Sequence, residues 1–144
     1  MSRRKLLVSL LGVATVVAAV GAALVISPWS GSASRARSDL ENELNLASEP
    51  ADVVAHYRYI EAHRGMAEQI PCYCGCGKAI GHRNLFDCFV ISAGKYSDHA
   101  SGCMVCTNEA IDVERLTLEG KSAREIRSWI DGEYARYGPP TNTP

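Results

Sequence analysis

All six cysteines of this chain fall between positions 72 and 106, and nothing else in the sequence constrains the fold as strongly. Three of them alternate in Pro71-Cys72-Tyr73-Cys74-Gly75-Cys76-Gly77, Cys88 stands alone, and Cys103 and Cys106 form a C-x-x-C pair. A disulfide inside a Cys-x-Cys pair would close a small strained ring outside ordinary disulfide geometry. Three structural disulfides therefore require the triplet to pair outward with Cys88, Cys103 and Cys106. If residues 72–76 are extended, alternate side chains point the same way and the three sulfurs share one face. Such a face suits a soft metal ion.

Around this region, a chain of 144 residues has room for one small domain and a targeting segment. Arg3, Arg4 and Lys5 precede an apolar run from Leu6 to Ile26, about twenty-one residues and close to the length that spans a bilayer core as a helix. The run exceeds the usual apolar region of a cleaved signal peptide, so a retained anchor is expected over residues 1–26, with cleavage after Ala33 as the lesser option. The basic flank stays on the cytoplasmic side and directs the remainder outward, to the extracytoplasmic side of a single-pass membrane protein. Ser2-Arg3-Arg4-Lys5-Leu6-Leu7 also has the look of a twin-arginine signal, although ordinary flanking charge explains it more simply. Setting those three basic residues aside from the 15 Lys plus Arg and 16 Asp plus Glu leaves a modestly acidic body, which argues against nucleic acid as a partner.

Residues 27–47 read as a flexible tether rich in Ser, Gly and Ala, with a short helical turn over 39–47. A domain over 48–138 follows, then an extended tail over 139–144. Its first helix opens near Ser48 as cap, with Pro50 in the first turn, and places Val53, Tyr57 and Ile60 on one face. Gly75, Gly77 and Gly81 put the triplet on a glycine-rich loop. Leu85 to Ile91 is expected as a short helix carrying Cys88, with a buried strand as the competing assignment. Residues 94–102 form a polar loop containing Asp98 and His99. Ser101 caps a helix to Glu119 with Cys106, Ala110 and Val113 on one face. Ser122 and Glu125 form a capping box for a last helix whose stripe is Ile126, Trp129, Ile130, Tyr134 and Tyr137, read as core together with the other tyrosines. The fold class is thus all-α: three to four short helices with cysteine-rich loops converging on one site.

A C-x-x-C pair at a helix start can hold one ion or cycle as a redox disulfide, and the helix terminus favours thiolate. The candidate metal ligands are Cys72, Cys74, Cys76, Cys88, Cys103 and Cys106, with His82 and His99 beside them. His56 and His63 read as surface residues, and Met104 and Met66 as packing residues. Thiolate-rich donors select Cu(I), Zn(II) or an iron-sulfur cluster. Outward placement favours copper, and the single C-x-x-C knuckle departs from the zinc-ribbon pattern. Metal binding is preferred to thiol-disulfide exchange by Cys103 and Cys106, and both to an interaction module of an envelope complex with structural disulfides. No nucleophile and base at recognisable spacing suggests a hydrolase; if the chain is an enzyme, thiol-disulfide oxidoreduction is the class.

Ile70 to Gly77 with Gly81-His82, Cys88-Phe89, Asp98-His99-Ala100, Cys103 to Cys106, and a C-terminal part from Glu119-Gly120-Lys121-Ser122 to Tyr134, resembles a bacterial family named for its PCYCGC motif. The resemblance implies a small exported domain, often a lipoprotein, whereas no cysteine stands directly after the apolar run here. Gly120-Lys121-Ser122, Glu125-Ile126 and Tyr137-Gly138-Pro139-Pro140 also resemble the CcmH-type thiol reductases of cytochrome c maturation. That resemblance implies a membrane-anchored helical bundle with Cys103 and Cys106 as the reactive pair. A metal-transport or respiratory-chain assembly protein is the expected partner, besides the membrane itself.

Overall fold

The computed structural model of the protein describes residues 41–144. The expected anchor, its basic flank and residues 27–40 of the expected tether lie outside the described residues. Among the described residues no helix is long and apolar enough to cross a membrane.

Six α-helices and three short strands follow one another among the described residues. Strand β1 (Glu43–Leu44) leads into a 3-10 turn, Leu46–Ser48, capped by Asn45, whose side chain accepts from Ala47 N at 3.1 Å. Ser48 therefore closes that turn, its hydroxyl donating to the Asn45 carbonyl at 2.8 Å, and the expected cap role passes to Pro50. Proline fits there because its φ of −56° is already that of the helix it introduces. Helix α1 (Ala51–Ala62) buries Tyr57 and Ile60 and packs Val53 and Val54 against the core. A four-residue helix, α2 (Arg64–Ala67), then delivers the chain to Ile70 and Pro71, both buried.

Past the triplet loop come α3 (Cys76–Ala79) and α4 (Leu85–Phe89). Asn84 caps α4 through its side chain, which accepts from Asp87 N at 3.1 Å, and every residue of α4 is buried. Asp87, inside this apolar helix, is held by Arg83, whose backbone N–H and guanidinium both donate to its carboxylate.

Strands β2 (Val90–Ser92) and β3 (Lys95–Ser97) correct the all-α expectation. With β1 they make an antiparallel sheet of order β1-β3-β2, in which Glu43 faces Ser97, Leu44 faces Tyr96 and Val90 faces Tyr96. The domain is mostly helical with this small sheet attached. Each strand is two or three residues long, too short for a period of two to declare itself. The segment read as either helix or strand is both in succession, since α4 ends at Phe89 and β2 begins at Val90. The residues read as a polar loop include β3, and those read as a helical turn include β1.

Helices α5 (Met104–Leu118) and α6 (Ala123–Tyr134) complete the chain and pack on each other. The Ser122 and Glu125 capping box is present with both of its bonds. Ile126, Ile130 and Tyr134 are buried, but Trp129 and Tyr137 are 37% and 54% exposed, a correction to the core stripe. Trp129 lies beneath the Arg115 guanidinium, 5.1 Å from its ring centroid, where an aromatic face gains from a cation while one edge stays wet. Met104 is corrected as well: it is 79% exposed, not a packing residue.

Candidate metal centre

Pro71 to Gly75 run without regular structure until Gly75 takes φ of 84° and α3 begins at Cys76. That left-handed turn is open to glycine at little cost. It rotates Cys76 away from the simple alternation expected of an extended triplet. The three sulfurs still interact with one another, but they enter different donor groups, with Cys74 common to the groups that hold Cys72 and Cys76.

The remaining donors arrive from three directions. Helix α4 supplies Cys88, whose sulfur stands 3.5 Å from that of Cys76. The start of α5 supplies Cys103 and Cys106, and the Cys106 sulfur is 3.6 Å from that of Cys72. The loop after β3 supplies His99, whose Nε2 is 3.4 Å from the Cys74 sulfur. Its position is set by Tyr57: the hydroxyl donates to the Ser97 carbonyl at 2.6 Å and accepts from Ser101 N at 2.9 Å, clamping both ends of the turn that carries His99. Burial pushes the Tyr57 hydroxyl up to about 12, so it remains a donor across ordinary pH.

These donors form three overlapping groups of four whose ligand atoms all lie within 4.8 Å of one another: Cys72, Cys74, Cys88 and Cys106; Cys74, Cys76, Cys88 and His99; Cys74, His99, Cys103 and Cys106. Cys74 belongs to every group. All six cysteines are free thiols, and sulfurs 3.5 and 3.6 Å apart are well beyond the ~2.05 Å of a disulfide. A tetrahedral centre with metal–sulfur bonds of about 2.3 Å separates its sulfurs by about 3.8 Å. The two closest sulfur pairs need shifts of a few tenths of an ångström to meet that spacing, and the other donors of each group, all within 4.8 Å, shifts of up to about 1 Å.

The electrostatics single out the same residue. Hydrogen bonds from Cys103 first, then Cys106, Cys72 and Cys76, hold the Cys74 thiol far below its ordinary pKa against the opposing effect of burial. Its neighbours go the other way: Cys72 is raised chiefly by its bond with Cys106, Cys106 by Cys103, Cys76 by Cys72, and the fully buried Cys88 by burial. Cys106 draws the Cys103 thiol down, but the bond to Cys74 and burial outweigh it and Cys103 also rises. Among the six thiols, Cys74 alone is shifted toward the thiolate and the other five toward the protonated form. The bond to Cys74, helped by Cys76, raises His99 to about 10.

His82 lies outside the three groups. Its ring meets that of His99 edge to face, centroids 5.1 Å apart, and its Nε2 is 2.6 Å from Glu41 Oε1, both side chains being buried. Burial lowers the His82 pKa, yet Cys76 and Glu41 more than offset that, so it rises. Glu41 Oε1 also accepts from Ser97 Oγ at 2.6 Å, which links β3 to this histidine. Such outer partners orient ligands and tune a metal without touching it.

Three supporting residues escaped the sequence reading. Glu109, buried one helical turn beyond Cys106, accepts the Tyr73 N–H at 2.9 Å, and burial raises it to about 8. A glutamate at the same helical face as Cys106, Ala110 and Val113 was the available signal. Thr141, in the tail, accepts from Cys72 N and donates its own N–H to the Cys72 carbonyl, each at 2.9 Å. A Cβ on Gly138 would stand 3.0 Å from the Tyr73 carbonyl oxygen, so the tail reaches the motif only through glycine. Glu41 is the third. Neither tail nor tether carried a pattern pointing to these contacts. His56 is half-buried, 4.0 Å from Glu114, and His63 is exposed.

A family model described as a protein of unknown function with PCYCGC motif matches residues 35–144, and the chain belongs to that family. No curated protein and no solved structure matches.

Proposed function

We propose that this protein binds Cu(I) in a polynuclear thiolate cluster, storing, delivering or sequestering the ion on the outer face of the cytoplasmic membrane. The observation that carries the reading is the overlap of the three donor groups at Cys74. A mononuclear zinc site uses four ligands once each. Donor groups that share members at one sulfur suit bridging thiolates. Sulfur-rich donors admit Cu(I), Zn(II) and iron-sulfur clusters, and the outward placement expected of the domain favours Cu(I) among them. The apolar run of residues 6–26 would supply the anchor, and a metal-transport or respiratory-chain assembly protein would be the partner.

Each thiolate formed on binding releases a proton, and copper remains Cu(I) throughout, so the protein acts as a binder. Glu109 fixes the Tyr73 peptide and Thr141 the Cys72 peptide, so the loop is held before metal arrives and less ordering is left to accompany binding.

Competition between the reduced soluble domain and a chromophoric Cu(I) chelator tests the reading, with zinc measured in parallel. More than one Cu(I) held per chain supports it. Failure to compete for Cu(I), or a single zinc with no copper, would sink it. A second reading is thiol-disulfide exchange, favoured by one observation: Cys103 is half-buried while Cys106, one turn on, is fully buried, the asymmetry of an attacking and a resolving thiol. It predicts that Cys103 and Cys106 reduce a partner disulfide while the triplet is dispensable.

A further inference from the structure

The cluster is not equally accessible on all sides. Cys72, Cys88 and Cys106 are 0% exposed and Cys76 is 2% exposed, whereas Cys74, His99 and Cys103 are all partly exposed. The three partly exposed donors belong to one group, completed by Cys106. That group shares Cys74 and Cys106 with the most deeply buried one, formed with Cys72 and Cys88. Next to Cys103 in sequence stands the thioether of Met104, 79% exposed at the first residue of α5. Soft donors thus run from the surface to the interior with two ligands common to the outer and inner groups.

We propose that the Cys74, His99 and Cys103 edge is the exchange face of the centre, through which Cu(I) arrives from a thiolate-bearing donor before passing inward to the buried sulfurs. This rests on the Cu(I) reading above and adds the route and the chemistry of the partner. The partner presents Cu(I) on thiolates at its own surface. Cys74 and Cys103 sulfurs replace the donor's sulfurs on the ion one at a time. The Cys103 proton passes to the departing donor thiolate, and copper stays Cu(I), so no electron moves. Cys106 and His99 join the outer group as well, the Cys106 proton going to the second departing donor thiolate and the His99 proton to water. Transfer inward then exchanges Cys103 and His99 for Cys72 and Cys88, whose protons pass to Cys103 and His99 as these leave the ion, while Cys74 and Cys106 remain bound. Met104 offers a weak outer ligand at the point of first contact.

The test separates rate from capacity. Reduced wild type, Cys103→Ala and Cys88→Ala are mixed with Cu(I) glutathione under argon; loading is followed by stopped-flow ultraviolet absorbance, and bound copper is counted at equilibrium. Cys103→Ala is expected to load at least about tenfold more slowly while retaining the copper of the buried group. Cys88→Ala is expected to keep a fast first phase and to hold less copper. A Cys103→Ala protein that loads as fast as wild type overturns the exchange face, as does a Cys88→Ala protein whose first phase slows equally. Alkylation of the metal-free wild type provides a measurement that needs no variant. Cys103 and Cys74 should be modified before the other four, and any other order counts against the proposal. If wild type takes up no Cu(I), the binding reading itself fails; uptake without the expected rate difference removes only the exchange face.

Discussion

Cys72 is bound to Thr141 in both directions: its N–H donates to Thr141 Oγ1 and its carbonyl accepts from Thr141 N, each at 2.9 Å. The pair is 69 positions apart in sequence and fastens the C-terminal tail to the first ligand of the cluster. Thr141→Val keeps the shape and leaves the buried Cys72 N–H without its acceptor, a loss of about 1–3 kcal/mol. For a domain of this size each kcal/mol lowers the melting temperature by about 4–8 °C. Thermal unfolding of the reduced, metal-free protein checks this, and an unchanged midpoint would contradict the role given to the tail.

Glu109 gives a pH dependence whose sign is fixed by burial. Its folded pKa of about 8 lies above the unfolded value of 4.5. The stability linked to its bound proton is complete below 4.5 and is lost as pH rises through 8. Glu109→Gln retains an acceptor for the Tyr73 N–H and does not titrate. Urea unfolding of metal-free protein at several pH values should therefore show a flatter profile for the variant over that window, with its advantage largest at the alkaline end. Parallel profiles would contradict the assignment.

His99 carries a proton to about 10 because its bonds to Cys74, and then to Cys76, hold it. Folded above its unfolded value of 6.5, this proton stabilises the metal-free protein fully below 6.5 and ceases to do so as pH rises through 10. A metal bound at Nε2 must displace it. Calorimetry of copper binding in buffers of different ionisation enthalpy should count fewer released protons for His99→Ala than for wild type. Equal proton release would place His99 outside the donors.

Ile130 and Trp129 are neighbours in the same expected stripe, yet Ile130 is fully buried and Trp129 is 37% exposed beneath Arg115. Ile130→Ala should cost about 2–5 kcal/mol through lost packing and a residual cavity. Trp129→Ala should cost clearly less despite the larger side chain, as denaturant midpoints would report. Equal costs would restore Trp129 to the core.

These contrasts mark where the sequence was readable. The long segments α1, α5 and α6 could be read because helical spacing lies within a few residues. Of their expected caps only that of α6, the Ser122 and Glu125 box, is present. Pro50 stands at the start of α1 instead of Ser48, and Cys103 at the start of α5 instead of Ser101, neither with a side-chain cap bond. The sheet could not be read, because two- and three-residue strands have no period and their partners, such as Leu44 and Tyr96, are far apart in the chain. Cysteine spacing pointed to a cluster, and the structure gathers all six sulfurs with His99. It did not reveal that Cys74 is common to every group, because that follows from four segments meeting in space. Glu41, Glu109 and Thr141 were missed for the same reason: their partners are 36 to 69 positions away.

The most direct test compares Cys74→Ala with Cys72→Ala by elemental analysis after anaerobic Cu(I) loading, with circular dichroism showing both folded. Cys72 belongs to one donor group and Cys74 to all three, so Cys72→Ala should lose about one ion and Cys74→Ala should lose copper from the whole centre. A Cys74→Ala protein that retains as much copper as Cys72→Ala would contradict a cluster built around one shared sulfur.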